Sequence, residues 1–331
     1  MAVSNNRSFE LQGERVKGQI ITDYGNLLDL TLPVHEVLAI IPTDITSLEG
    51  QEETLEYFRQ QRELNQAQDT NPVARASYET YLANNLMAFH SQYYTVVLNV
   101  EAMRQRIKEH GSNMAGLLSA VDSICDSVER DFTDSNVKTL GWLGALERRD
   151  AIYKALTSHQ QEPVVGAHAY WDSIHVNDLW HKAYVIEEWP QKEVNPGFMS
   201  KVTRDLDFVH AVSLVYQSGA GANSLRKVSW QIQDKETSLA AKEKAGFRIS
   251  TADRTELDDL EQREAELTAG STEMLVRGFI SITASSKEEL KMKDRDIRSA
   301  ATKAGLVIYP CWNQQFAGLL AASSLIGLGL D

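Results

Sequence analysis

The chain has 331 residues, with 33 Lys and Arg against 46 Asp and Glu, a formal net charge of −13. That balance argues against a nucleic-acid protein built on a broad basic surface, because neutralising phosphate needs clustered Lys and Arg. With 43% hydrophobic and 24% charged residues the composition is that of a globular protein of about two domains, and 7 prolines with 19 glycines exclude a collagen-like or low-complexity chain.

Met1 to Arg15 is polar and lacks the apolar centre of a signal peptide, so export is not expected. Val16 to Leu30 reads as a hairpin turning at Asp23-Tyr-Gly25, and Val34 to Ile41 as a buried strand that stops at Pro42. Thr46 and Glu49 stand at capping-box spacing and predict a helix carrying Leu48, Leu55 and Phe58. Asn71-Pro72 marks a break before a second helix through Tyr78, Leu82 and Leu86. Tyr93 to Val100 is β-branched and aromatic, a central strand. Met103, Ile107, Met114, Leu118, Val121, Cys125 and Val128 recur at helical steps and predict one long amphipathic helix. A strand within Val137 to Leu143 and a helix from Ala145 to Leu156 follow, and Ser158 to Val165 reads as a linker.

The second half repeats the plan. Phe208 to Tyr216 is a strand, residues 223–268 form a long charged helical arm interrupted near Gly246, and Met274 to Ala284 is a strand. Ser286 and Glu289 form a second capping box, opening a helix through Leu290, Ile297 and Ala301, and Leu306 to Tyr309 closes as a strand. Val34-His35-Glu36-Val37 matches Val209-His210-Ala211-Val212, which hints at an internal duplication. The expected fold is α+β, two ferredoxin-like (split βαβ) halves spanning residues 1–157 and 166–331 with the linker at 158–165. The uncharged tail from Phe316 to Leu330 falls short of the roughly 20 apolar residues of a membrane span and predicts a buried terminal strand or helix.

Chemistry-bearing motifs are sparse. No Gly-x-x-x-x-Gly-Lys-Ser/Thr phosphate loop and no Gly-x-Ser-x-Gly nucleophile turn occurs in the sequence. Gly219-Ala220-Gly221 stands between a strand and a helix, but the third position of the dinucleotide fingerprint is Ser224, so a flexible turn is the plainer reading. His168, His175 and His181, interleaved with Asp172 and Asp178, are spaced wrongly for a helical zinc site. Neither a metal nor a cofactor is expected, nor a catalytic set. The two cysteines, Cys125 and Cys311, are too few for a disulfide framework and read as reduced thiols of a cytosolic protein. Asp253 to Glu266 is dense in acids, and Asp258, Asp259, Glu261 and Glu264 are candidates for docking a basic partner surface.

The most distinctive segment is Asp178-Leu-Trp180-His181-Lys-Ala-Tyr184-Val-Ile186-Glu187-Glu188-Trp189-Pro190, followed by Val194, Pro196 and Phe198. It resembles the central motif of actinobacterial conjugal-transfer proteins that look like the N-terminal, non-motor part of the large type IV secretion ATPase. The corresponding later run is present in order: Ala265-Glu-Leu267, Gly270, Gly278 to Thr283, Glu288-Glu289-Leu290 and Ala304-Gly-Leu306. The end departs from the family, with Leu325-Ile-Gly327-Leu328-Gly329-Leu330 where relatives carry a proline and a basic residue. Relatives often carry N-terminal membrane helices; no such segment is read in this sequence.

The resemblance implies an assembly or scaffold component without ATPase activity, cytoplasmic and peripheral to the inner face of the membrane. Its implied partners are a separate motor ATPase and membrane channel proteins, with homo-oligomerisation left open; single-stranded DNA handling would fit the transfer context but not the acidic charge, so no direct nucleic-acid contact is expected. Trp180, His181, Tyr184 and Trp189 form the expected aromatic platform. The competing reading is a small-molecule-binding or enzymatic α+β protein with its site between the halves, near Trp180 and His181.

Overall fold

The computed structural model describes residues 2–4, 14–32, 36–47, 89–111, 113–137, 139–158, 163–190, 197–218, 221–269 and 274–323. The chain opens with β1 (Ala2–Ser4) and α1 (Glu14–Thr31), where the sequence predicts a hairpin. Local bonds favour the helix: Gln19 Nε2 donates to Asp23 Oδ1 at 2.7 Å and the Thr22 hydroxyl to the Gly18 carbonyl, both four residues apart. Burial of Leu27 and Leu28 against the helix Met114–Asp134 and the sheet overrides the two glycines that suggested a turn.

β2 (Val37–Ser47) runs through Pro42 instead of ending there, and β3 (Phe89–Leu98) pairs with it along its length. On its other side the ladder of β2 to the strand His210–Ser218 skips Ile41 and Pro42, so the missing proline N–H falls where no pair is made. Thr46, expected to cap a helix, is a fully buried residue of β2; the rest of that helix and the one through Tyr78, Leu82 and Leu86 lie outside the described residues, as do Val34 and His35.

The predicted long helix is two, α2 (Arg104–Glu109) and α3 (Met114–Asp134). Gly111 takes φ 118° and the Asn113 side chain accepts from Gly116 N at 2.8 Å, which ends one helix and starts the next. α3 buries Ala120, Ile124, Val128 and Phe132 at four-residue steps, leaving Met114 and Leu118 exposed. β4 (Thr139–Trp142) and α4 (Ala145–Thr157) complete this stretch.

The remainder supplies β5 (Ala167–Ala169), β6 (Ile174–Val176), β7 (Leu179–Glu188), the one-turn α5 (Ser200–Thr203) and β8 (His210–Ser218). The charged arm is a helical hairpin, α6 (Gly221–Lys244) and α7 (Thr251–Thr268). Gly246 takes φ 75° at its turn, a conformation glycine adopts without a Cβ clash, and the Ser250 hydroxyl caps α7. β9 (Met274–Ala284), α8 (Lys287–Lys303), β10 (Val307–Pro310) and α9 (Gln315–Ala322) follow, with Ser286 capping α8 as predicted.

All ten strands join one open sheet in the order β4-β1-β3-β2-β8-β9-β7-β6-β5, with β10 also on β7, and each pairing among the described residues is antiparallel. The fold is therefore α+β. Within it β1 to β4 lie side by side as fourth, first, third, second, and β7 to β10 repeat that order. The two sets meet where β2 pairs with β8, Ala39 opposite Gln217 and Ile45 opposite Ala211.

Side-chain alternation gives the sheet two buried faces. On one, α1 and α3 cover Ile40, Val96 and Leu98, while α8 and α5 cover Tyr184, Ile186, Val212, Ile280 and Ile282. On the other, α4 and α9 lie over the junction itself: Ala155 on Ile45 and Ala211, and Ala321 with Ala322 on Ala39, Ile41 and Val215. Small residues bring α9 close to the sheet, and a Cβ at Gly318 would stand 2.6 Å from Cys311 Sγ and 2.9 Å from Ala183 Cβ. Gly318→Ala is accordingly expected to lower the unfolding free energy by about 1–3 kcal/mol, read by urea denaturation.

Candidate functional site

β7 carries the distinctive segment, and its alternation sends Trp180, Lys182, Tyr184 and Ile186 to the face under α8 and His181, Ala183 and Val185 to the face under α9. Tyr184 is completely buried at the centre of the larger core. Its hydroxyl donates to Asp294 Oδ1 of α8 at 2.6 Å, Lys182 Nζ approaches Asp294 Oδ2 at 3.1 Å, and Arg298 Nε donates to Oδ1 at 2.8 Å. Burial pushes the Asp294 pKa up, but the Tyr184 hydroxyl, Arg298 and Lys182 together outweigh it and hold the carboxylate below its ordinary value. Burial and that same carboxylate raise the Tyr184 phenol well above its own. No local pattern points to Asp294, because the contact spans 110 residues.

On the opposite face His181 is fully buried with Nδ1 2.9 Å from the Thr283 hydroxyl. Nε2 makes no hydrogen bond, and burial lowers the pKa to about 4, only partly opposed by the nearby Leu156 backbone. A neutral imidazole enclosed in this way is a core group. Beside it, Gln315 of α9 completes the sheet: its Oε1 accepts from Ala183 N at 2.7 Å and its Nε2 donates to the carbonyls of Ala183 and Cys311. Ala183 falls between the partners of β7 on that edge, β6 up to His181 and β10 from Tyr184, so the side chain supplies the bond no strand can.

The two tryptophans sit at opposite ends of β7, both half-buried against the larger core. Trp180 stacks with His175 at 4.5 Å and Tyr170 at 5.3 Å between ring centres, and Lys287 lies over it at 4.3 Å. Three residues of the expected platform thus lie on β7 and Trp189 just past its end, with His181 facing away from the other aromatics. Sequence reasoning missed Trp171 and Trp312, which lie beyond this cluster with ring centres 6.3 Å apart; both are exposed.

In the arm, Asp258, Asp259 and Glu261 are exposed, whereas Glu264 turns inward and accepts from the Ser229 hydroxyl of α6. Lys235 of α6 pairs with Asp253 and Glu256, and Lys242 with Asp253. Part of the acidity therefore holds the hairpin closed. Three of the four docking candidates remain on its outer surface.

A cleft of about 270 Å³ does lie between the two sets of strands, away from Trp180 and His181. Pro42, Asp44, Val212 and Leu214 of β2 and β8 floor it, with Tyr24, Tyr94 and Tyr216 on one side and Met199, Thr203 and Arg204 of the α5 region on the other. Burial pushes the Tyr94 phenol up to about 12, and raises Tyr24 and Tyr216 as well. Among the described residues, no three His, Cys, Asp or Glu side chains converge as metal ligands, and no helix is long and apolar enough to cross a membrane.

Comparison with known proteins adds no relative: no protein-family model matches the chain, and no curated protein does so.

The buried groups of β7 make two predictions. His181 must gain a proton on unfolding below its ordinary pKa of 6.5 but holds none in the fold until about pH 4, so its share of stability is complete above pH 6.5 and lost on acidification. The loss is about 3 kcal/mol across that window, and denaturation series at successive pH values will show a shallower slope in His181→Asn. Gln315→Leu strands the Ala183 N–H in the core and is expected to cost about 1–3 kcal/mol, measured by denaturation together with faster amide exchange at Ala183.

Proposed function

We propose that the chain is a non-ATPase assembly component of a conjugation (type IV secretion) machine, acting through protein contacts with a separate motor ATPase and membrane channel proteins. The observation that carries this reading is the burial of β7: in the motif Trp180-His181 to Trp189-Pro190, which resembles the conjugal-transfer family, Tyr184 and His181 are fully buried and Trp180 and Trp189 pack against the larger core. Such a strand fixes the shape of a platform and leaves partner binding to the surface. The fold reading belongs to the same proposal. Each half is taken as ferredoxin-like, supported by the repeated fourth-first-third-second strand order, the antiparallel pairing and the helices that share one face.

The helical hairpin α6–α7 offers the partner-facing surface, with Asp258, Asp259 and Glu261 exposed on it. A position at the inner face of the cell membrane follows from the partners proposed. The second reading, a small-molecule site between the halves, has the cleft over Pro42 and Asp44 in its favour, near the lower end of ligand-pocket sizes.

Affinity purification of the tagged chain from its native host is expected to recover components of the transfer apparatus, and recovery of none would overturn the assembly role. Asp258→Asn/Asp259→Asn/Glu261→Gln should reduce that recovery while leaving the melting temperature in place; undiminished recovery would remove the arm from the docking surface. The purified chain should not hydrolyse ATP. A rate abolished by Asp44→Asn or Arg204→Ala would favour an enzyme with its site in the cleft.

A further inference from the structure

Aromatic rings, three of them exposed and Trp180 half-buried, lie beside cations on the surface next to β7 and α8, an arrangement that neither the net charge nor the proposed assembly role accounts for. The aromatic track comprises Tyr170, Trp171, Trp180 and Trp312. Trp171 is 64% and Trp312 47% exposed, both high for tryptophan, and their rings lie 6.3 Å apart at 29°. The two exposed indoles form a clip whose neighbouring faces offer a planar group a surface to stack on.

The cationic track is one side of α8. Lys287 and Lys291 stand one turn apart, while Glu289 and Asp296 fall on the far side; further along the same side Asp294 pairs with Arg298. Lys287 lies 4.7 Å from the Tyr170 ring and 4.3 Å from Trp180, and at the other end the Arg298 guanidinium lies 5.5 Å from the Tyr184 ring. The helix and the strand thus run in the same direction in contact. From Trp180 to Tyr184 the strand covers roughly 13 Å, and from Lys287 to Arg298 the helix covers roughly 16 Å. Lys182 adds a cation 5.9 Å from the Trp312 ring, shared with Asp294, and Asp172 and Glu288 are the acids closest in sequence to the clip and to Lys287.

A row of rings beside a row of cations is the pattern that takes a single nucleic-acid strand, whose bases stack on the rings while its phosphates meet the cations. A duplex keeps its bases paired and offers the clip nothing to hold. We propose that the surface beside β7 and α8 binds single-stranded nucleic acid, with Trp171 and Trp312 gripping a base and Lys287 and Lys291 neutralising the backbone. The total charge of −13 excludes a broad basic surface but leaves room for this local track. The proposal stands independently of the assembly role.

The test is fluorescence anisotropy of a fluorescein-labelled oligothymidylate with the full chain at about 50 mM salt, repeated at about 200 mM, beside a blunt duplex. Expected are saturable binding that weakens with salt, preference for the single strand and quenching of tryptophan emission. Trp171→Ala/Trp312→Ala should weaken binding roughly tenfold or more, and both sites are exposed enough for the melting temperature to stay put. Lys287→Glu/Lys291→Glu should weaken it and reduce the salt slope by about 1.4, two phosphate contacts at roughly 0.7 each. No binding at the lower salt, equal affinity for duplex, or binding indifferent to the tryptophan pair would each overturn the proposal. A tryptophan blue shift on vesicles of anionic phospholipid, without oligonucleotide binding, would also overturn it by assigning the edge to a membrane surface.

Discussion

The pairing of β2 with β8 is the constraint on which the rest of the molecule depends. Each set of four strands ends in a long strand whose outer backbone would otherwise face water and invite association with any other exposed edge. Pairing the two edges satisfies both and turns two small sheets into one of ten strands. On one face α4 and α9 lay alanines on the junction, and the Ser213 hydroxyl of β8 donates to the Ala321 carbonyl at 2.7 Å. On the other face Tyr24 of α1 reaches Tyr216 of β8, ring centres 6.0 Å apart, and beside that contact lies the cleft above Pro42 and Asp44.

β7 is the counterpart of that junction inside the second half. One face of the strand anchors α8 through the Tyr184–Asp294–Lys182–Arg298 network, and the other carries His181 and the backbone that Gln315 closes. A charged group in a core is tolerated only where partners offset its lost hydration, and Asp294 has three. His181 meets the same requirement by staying neutral. The chemistry-bearing residues of the motif are consumed in holding two layers together.

Much of the second half is legible in the sequence because its signals are local. Met274 to Ala284 is a run of strand-forming residues that becomes β9 with the same bounds, Ser286 caps α8, and Gly246 turns the arm. The first half misleads where local signals compete. Gly18, Asp23 and Gly25 argue for a turn, yet Ile20, Tyr24, Leu27, Leu28 and Leu32 carry the helical spacing that α1 obeys, and their burial decides it. Thr46 and Glu49 have the spacing of a cap, but Thr46 is claimed by β2 and faces His210 of β8 at 3.4 Å, a partner 164 residues away.

The sequence by itself determined the α+β composition, the order of most elements in the second half, the break in the charged arm and the aromatic segment around Trp180. These follow from propensity, periodicity and capping, which act within a few residues. Only the tertiary structure decided that two repeated strand sets fuse through β2 and β8, that Asp294 and Gln315 complete the surroundings of β7, and that Trp171 meets Trp312 beside Lys287. Each of those depends on residues brought together from distant parts of the chain, where the free energy of burial and of satisfying buried polar groups selects a partner that sequence spacing cannot indicate.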